Sequence, residues 1–190
     1  MCGIVGAIAV RNVPEILIEG LRRLEYRGYD SAGLAVMPTN GGNIERRRQV
    51  GKVQALVDET IAEPVSGTIG IAHTRWATHG VPSQTNAHPH MSNERIALVH
   101  NGIIENFEIL RDELEGLGYL FLSETDSEVI VHLLDHYYQQ SNDLLAALKT
   151  AIQRLEGAYS IAAIVADDPS RIVVARSGSP LVIGLSLIHI

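Results

Sequence analysis

The sequence predicts an α+β fold in which antiparallel sheet is layered with helices. Expected strands come in runs joined by tight turns, helices are grouped between those runs, and regular strand–helix alternation is missing. With 190 residues, 46% of them hydrophobic and 19% charged, the chain is long and apolar enough to bury the core of one domain.

Residues 2–10, rich in Ile, Val and Gly, form the first expected strand. Asn12 then opens a helix, with Glu15 as its capping partner, Pro14 in the first turn and Ile16, Leu17, Leu21 and Leu24 as one apolar stripe ending at Arg27-Gly28. Strands are expected near 32–37, 44–50, 68–75 and 96–100, with a helix over 51–62. From 77 to 93 the chain has no period but holds two Pro, two Asn and three His, a loop of a length that is often functional. Phe107, Leu110, Leu114 and Leu117 keep helical spacing until Gly116 and Gly118 stop it. Thr125 and Glu128 make a capping box for a helix carrying Val129, Ile130, Leu133, Leu134 and Tyr137. Leu144, Leu148, Ile152 and Leu155 define another helix to Gly157, and 158–166, 171–176 and 181–185 read as closing strands.

Composition excludes several function classes. Fifteen Lys plus Arg against twenty-two Asp plus Glu give a net charge of −7, the wrong sign for a protein that neutralises phosphates, so no nucleic-acid partner is expected. The apolar runs fall short of the ~20 residues of a membrane-spanning helix, so no membrane partner is expected either. The single cysteine cannot form an internal disulfide, and the cytoplasm is the expected compartment.

Cys2 follows the initiator methionine, and removal of Met1 would leave it with an α-amine. An amine of pKa ~7.7–8.0 can take the proton of a thiol of pKa ~8.5, so one residue would supply nucleophile and base. A buried core cysteine is the competing reading, and at this point both stand. His100-Asn101-Gly102 offers an amide and an unobstructed N–H for an oxyanion, or a plain strand-ending turn. Arg75 has the fork that grips a carboxylate, or a surface salt bridge. Asp126 suits a substrate ammonium, or the helix terminus at which it sits. His73, His79, His88, His90 and His100 lack metal-ligand spacing, and no glycine pattern cradles a nucleotide, so no metal and no cofactor are expected.

The segments Met1-Cys2-Gly3-Ile4-Val5-Gly6, Arg23-Leu24-Glu25-Tyr26-Arg27-Gly28-Tyr29-Asp30-Ser31-Ala32-Gly33 and His73-Thr74-Arg75-Trp76-Ala77-Thr78-His79-Gly80 occur in this order. Asn86-Ala87-His88-Pro89-His90, Val99-His100-Asn101-Gly102-Ile103-Ile104-Glu105-Asn106 and Glu124-Thr125-Asp126 follow. Together they resemble the type 2 glutaminase domain of the glucosamine-6-phosphate synthase family, a match running over residues 1–185.

The resemblance implies an amino-terminal nucleophile hydrolase fold, a four-layer αββα sandwich with antiparallel sheets between helix layers. It implies L-glutamine as substrate, Cys2 as nucleophile through a thioester, Asn101 and Gly102 as oxyanion donors, Arg75 on the α-carboxylate and Asp126 on the α-ammonium. Trp76, Thr78 and His79 would belong to a loop closing over glutamine, with Arg27 supporting Cys2. Fructose-6-phosphate would be reached only through sugar-isomerase domains outside these 190 residues, and the full-length enzyme would be a homo-oligomer. Residues 186–190 do not resemble the family and read as a cloning or frame artefact. The competing identities are the glutaminase domain of an amidophosphoribosyltransferase or asparagine synthetase, or an inactive glutamine-binding fragment.

Overall fold

A computed structural model describes residues 2–39, 42–77 and 80–185. Two four-stranded sheets face each other. The first contains β1 (Gly3–Ile8), β2 (Ser31–Met37), β3 (Glu45–Val50) and β4 (Ile69–Arg75) in the order β1-β4-β2-β3. The second contains β5 (His90–Ser92), β6 (Ile96–Ile104), β7 (Gly157–Val165) and β8 (Asp168–Ser177) in sequence order. All named strand pairs are antiparallel.

Helices α1 (Pro14–Leu24) and α2 (Val53–Ala62) cover the first sheet, packing Leu17, Leu21 and Leu56 on Leu34 and Val36. Helices α3 (Phe107–Gly116), α4 (Ser127–Ser141) and α5 (Leu144–Ala151) belong to the core of the second, with Leu110, Ile130 and Leu148 clustered around Ile96 and Leu98. Ala97 and Val99 point the other way and join Ile69, Ile71, Ala162 and Ile164 in a core between the sheets. Alternation along β6 therefore feeds two different cores, which is why every residue from Ile96 to His100 is buried. The result is the helix–sheet–sheet–helix order that the resemblance implied.

Several local expectations fail for tertiary reasons. Val13, not Asn12, occupies the N-cap of α1, with no side-chain cap bond, because the Val13 N–H is drawn to the Gly67 carbonyl at 2.8 Å. This helix stops at Leu24, and Glu25–Arg27 forms a 3₁₀ turn. The capping box at α4 does not close. Glu128 instead accepts from the backbone N–H groups of Leu122 and Ser123, at 3.0 and 2.6 Å, while Thr125 bonds His90. Residues 181–185 form no strand, leaving Val182 and Leu185 exposed. β1 is shorter than 2–10, and α5 ends at Ala151 although Leu155 still packs in the core.

Within the irregular stretch lies β5, too short to show a period in sequence. Arginines of the edge strand β3 hold the rest of that stretch: Arg48 donates to the Thr85 and Ala87 carbonyls and Arg46 to that of Pro89. Charged side chains thus tie down a loop and blunt a sheet edge together.

Candidate active site

The strand register assembles the site. Antiparallel pairing sets Gly3 of β1 opposite Thr74 of β4, so Cys2 arrives beside Arg75 and Trp76. The Trp76 N–H donates to Cys2 Sγ at 3.2 Å, and the thiol faces the Trp76 carbonyl at 3.4 Å. Burial pushes the Cys2 thiol pKa up, partly offset by the Trp76 hydrogen bond, so at neutral pH the thiol needs a base to become a nucleophile.

A cavity of about 810 Å³ opens at this point, and Cys2, Arg27, Arg75, Trp76, Asn101, Gly102 and Asp126 all line it. Asn101 and Gly102 come from the exposed end of β6, where buried positions give way to solvent-facing ones. Gly102 has φ +138°, and a Cβ there would lie 2.0 Å from the Ala158 carbonyl oxygen, so only glycine fits. Asn101 Oδ1 lies 2.8 Å from Nε2 of His73 on the opposing sheet.

Arg75, 3% exposed, ends β4 and donates to the Gly80 carbonyl at 3.0 Å, with Asp30 3.9 Å from its guanidinium. Asp30 also accepts from the Ala77 N–H and from Ser31 Oγ. It therefore braces both the arginine and the start of the following loop. Trp76 remains half exposed, edge-on to Tyr29 with ring centroids 5.4 Å apart. Asp126 is buried and takes the Ile104 N–H at 2.8 Å, and no bond from it caps α4. Its neighbour Ser127 bonds His100 Nδ1 at 2.8 Å. Thr78 and His79 lie outside the described residues.

The arrangement suits acyl transfer to a small zwitterion: a thiol, two donors for an oxyanion, one cation and one anion around one cavity. A family model described as a glutamine amidotransferase domain matches residues 73–185. The chain belongs to the glutamine amidotransferase domain family.

This amidotransferase chain is 63% identical over 187 residues to the glutamine–fructose-6-phosphate aminotransferase (isomerizing) of Pseudomonas putida, covering 98% of the chain and 30% of that protein. Identity and coverage are the same for the enzyme of that name in Pseudomonas aeruginosa. The chain thus spans about a third of the length of these curated relatives. Among solved structures, the glutamine phosphoribosylpyrophosphate amidotransferase of B. subtilis, complexed with ADP and GMP, superposes with TM-score 0.76 at 26% identity, over 93% of this chain and 37% of that one.

Other polar residues of the amidotransferase domain were not legible as parts of a site. His73, His88, His90 and His100 are all buried, His88 and His100 lining the cavity, and burial lowers His73 and His90 to pKa values of about 3. Asp30 sits in a recognised motif, yet its hold on Ala77 joins residues 47 apart. Among the described residues no cluster of His, Cys, Asp or Glu is disposed to hold a metal ion, and no helix is long and apolar enough to cross a membrane.

Proposed function

We propose that the chain hydrolyses the side-chain amide of L-glutamine to glutamate and ammonia through a thioester on Cys2. The convergence of Cys2, Asn101, Gly102, Arg75 and Asp126 on one cavity carries this reading. Once Met1 is removed, the α-amine of Cys2 accepts the thiol proton as sulfur attacks the amide carbon, and returns it to the departing ammonia. The Asn101 amide and the Gly102 N–H take the charge that develops on the carbonyl oxygen. Water then attacks the thioester, releasing glutamate and restoring the thiol. Arg75 receives the α-carboxylate and Asp126 the α-ammonium. A zwitterion needs one cation and one anion at a set separation, and both side chains are buried and positioned before substrate arrives. Trp76 flanks the substrate and Arg27 supports Cys2 from the pocket wall.

Replacing Asn101 by Ala is expected to lower kcat for ammonia release by roughly 10²- to 10³-fold, the usual loss for one oxyanion donor. Because Asn101 acts mainly on the transition state, KM for glutamine should move little; a large KM change with kcat preserved would assign it to ground-state binding instead. Asp126→Asn is expected to raise KM for glutamine by about 10- to 100-fold, the range of one charge-assisted hydrogen bond. An unchanged KM would remove Asp126 from the ammonium site.

In the longer protein we place residues 1–185 as a cytoplasmic, ammonia-producing domain whose product is transferred to fructose-6-phosphate by sugar-isomerase domains in a homo-oligomer. The 63% identity to enzymes named for that reaction supports this acceptor over phosphoribosyl pyrophosphate, whose amidotransferase shares 26%. Assaying the full-length protein with each acceptor decides between them: glucosamine-6-phosphate is the expected product.

A further inference from the structure

We propose that His73 is a positioning residue for amide cleavage: its Nε2–H holds the Asn101 side-chain oxygen, so that Asn101 turns its Nδ2–H₂ toward the substrate carbonyl. The inference rests on the glutaminase reading and adds a residue which that reading does not use.

The two ends of an asparagine amide have nearly the same shape, but only the nitrogen donates. An Asn101 turned the other way would set an oxygen against a developing oxyanion, converting a stabilising contact into a repulsive one. Something must select the orientation. His73 lies in β4, paired with Ile4 and Gly33, and reaches across from the first sheet to β6 of the second, where Nε2 stands 2.8 Å from Asn101 Oδ1.

His73 is 1% exposed, and burial keeps the imidazole neutral, so the ring carries one N–H. Nδ1 lacks a hydrogen bond of good geometry and has only a weak backbone contact with His100. A proton on Nδ1 would have only that weak backbone contact as acceptor and would turn the Nε2 lone pair on the Asn101 oxygen. A proton on Nε2 satisfies both partners. The His88 ring packs against His73 with centroids 4.1 Å apart and planes tilted by 33°, which restricts rotation of the ring away from Asn101.

Two measurements on the 190-residue protein test this. Long-range ¹H–¹⁵N NMR of the unsubstituted chain should show His73 neutral at pH 7 with the proton on Nε2; a proton on Nδ1, or on both nitrogens, overturns the proposal without any appeal to activity. Kinetically, His73→Phe keeps ring volume but removes the donor, and should lower kcat about 10²-fold with KM for glutamine within about twofold. His73→Gln, which offers an N–H at similar reach, should lose less than about tenfold. In an Asn101→Ala background His73→Phe should cost less than about twofold, because its target is gone. Equal losses in the Gln and Phe variants, or an undiminished Phe effect in that background, refute positioning through Asn101. Absence of ammonia release from the unsubstituted chain after removal of Met1 would instead refute the glutaminase reading, and the NMR result would still decide the His73 hydrogen bond.

Discussion

Replacing Cys2 by Ala should abolish ammonia release, with a fall in kcat on the order of 10⁶, the loss seen when an acyl-transfer nucleophile is removed. The expectation follows from placement. Cys2 is the only thiol in the chain, it faces the cavity, and its Sγ is held by the Trp76 backbone beside Arg75. Burial raises the thiol pKa, so the proton must leave to a base at the moment of attack. The α-amine is that base in the proposed mechanism, which makes a second outcome readable on the same preparation. Protein retaining Met1 should be inactive and should gain activity when Met1 is removed by an aminopeptidase. Quenching the processed protein during turnover should trap a glutamyl adduct on Cys2, detectable by mass spectrometry. Turnover by the Ala variant would refute the thioester route, and full activity with Met1 in place would refute the amine as base.

Asp135→Ala should give the largest loss of stability, about 3 kcal/mol at pH 7, read from urea unfolding. Asp135 is fully buried in α4 and accepts from Arg95 at 2.6 Å, Asn93 at 2.8 Å, Gln139 at 2.9 Å and Tyr119 at 3.0 Å. Its removal strands those donors around a carboxylate-sized gap. Burial alone would raise the Asp135 pKa, but the Arg95, Gln139 and Tyr119 hydrogen bonds outweigh it and hold the carboxyl below its ordinary value. A depressed folded-state pKa means that the stabilisation is present above the unfolded value of ~3.9 and is lost as pH falls through the folded value. The gap between wild type and variant should therefore be full at pH 7 and shrink below about pH 4. A gap that stays constant down to pH 2 would mean that the loss comes from packing rather than from the carboxylate.

Legibility in the sequence varied with how local each cause is. The apolar stripe of α1 was readable because its burial repeats with the helix period, Leu17 and Leu21 being fully buried, while α4 and the aliphatic runs of β4, β6 and β7 were readable as apolar segments buried along most of their length. Helix starts were read less well. Asn12 and Thr125 are good capping residues by type, but Val13 is bound to Gly67 and Glu128 to the Leu122–Ser123 backbone, partners that chain-local rules do not include. β5 escaped notice since three residues show no alternation, and 181–185 has the composition of a strand without forming one.

The candidate site divides in the same way. Residue types that suit glutamine chemistry, and motifs shared with an enzyme family, are written in the order of amino acids, and they named Cys2, Asn101, Gly102, Arg75 and Asp126. Which of those groups meet, and what orients them, depends on contacts between segments far apart in the chain. His73 reaches Asn101 between two sheets, and Asp30 braces Arg75 and Ala77 from the end of another strand. Periodicity reports burial along one element, whereas a hydrogen bond between sheets depends on the register of both. Hence the candidate residues were legible before folding was considered, and which of them meet was decided by packing two sheets face to face.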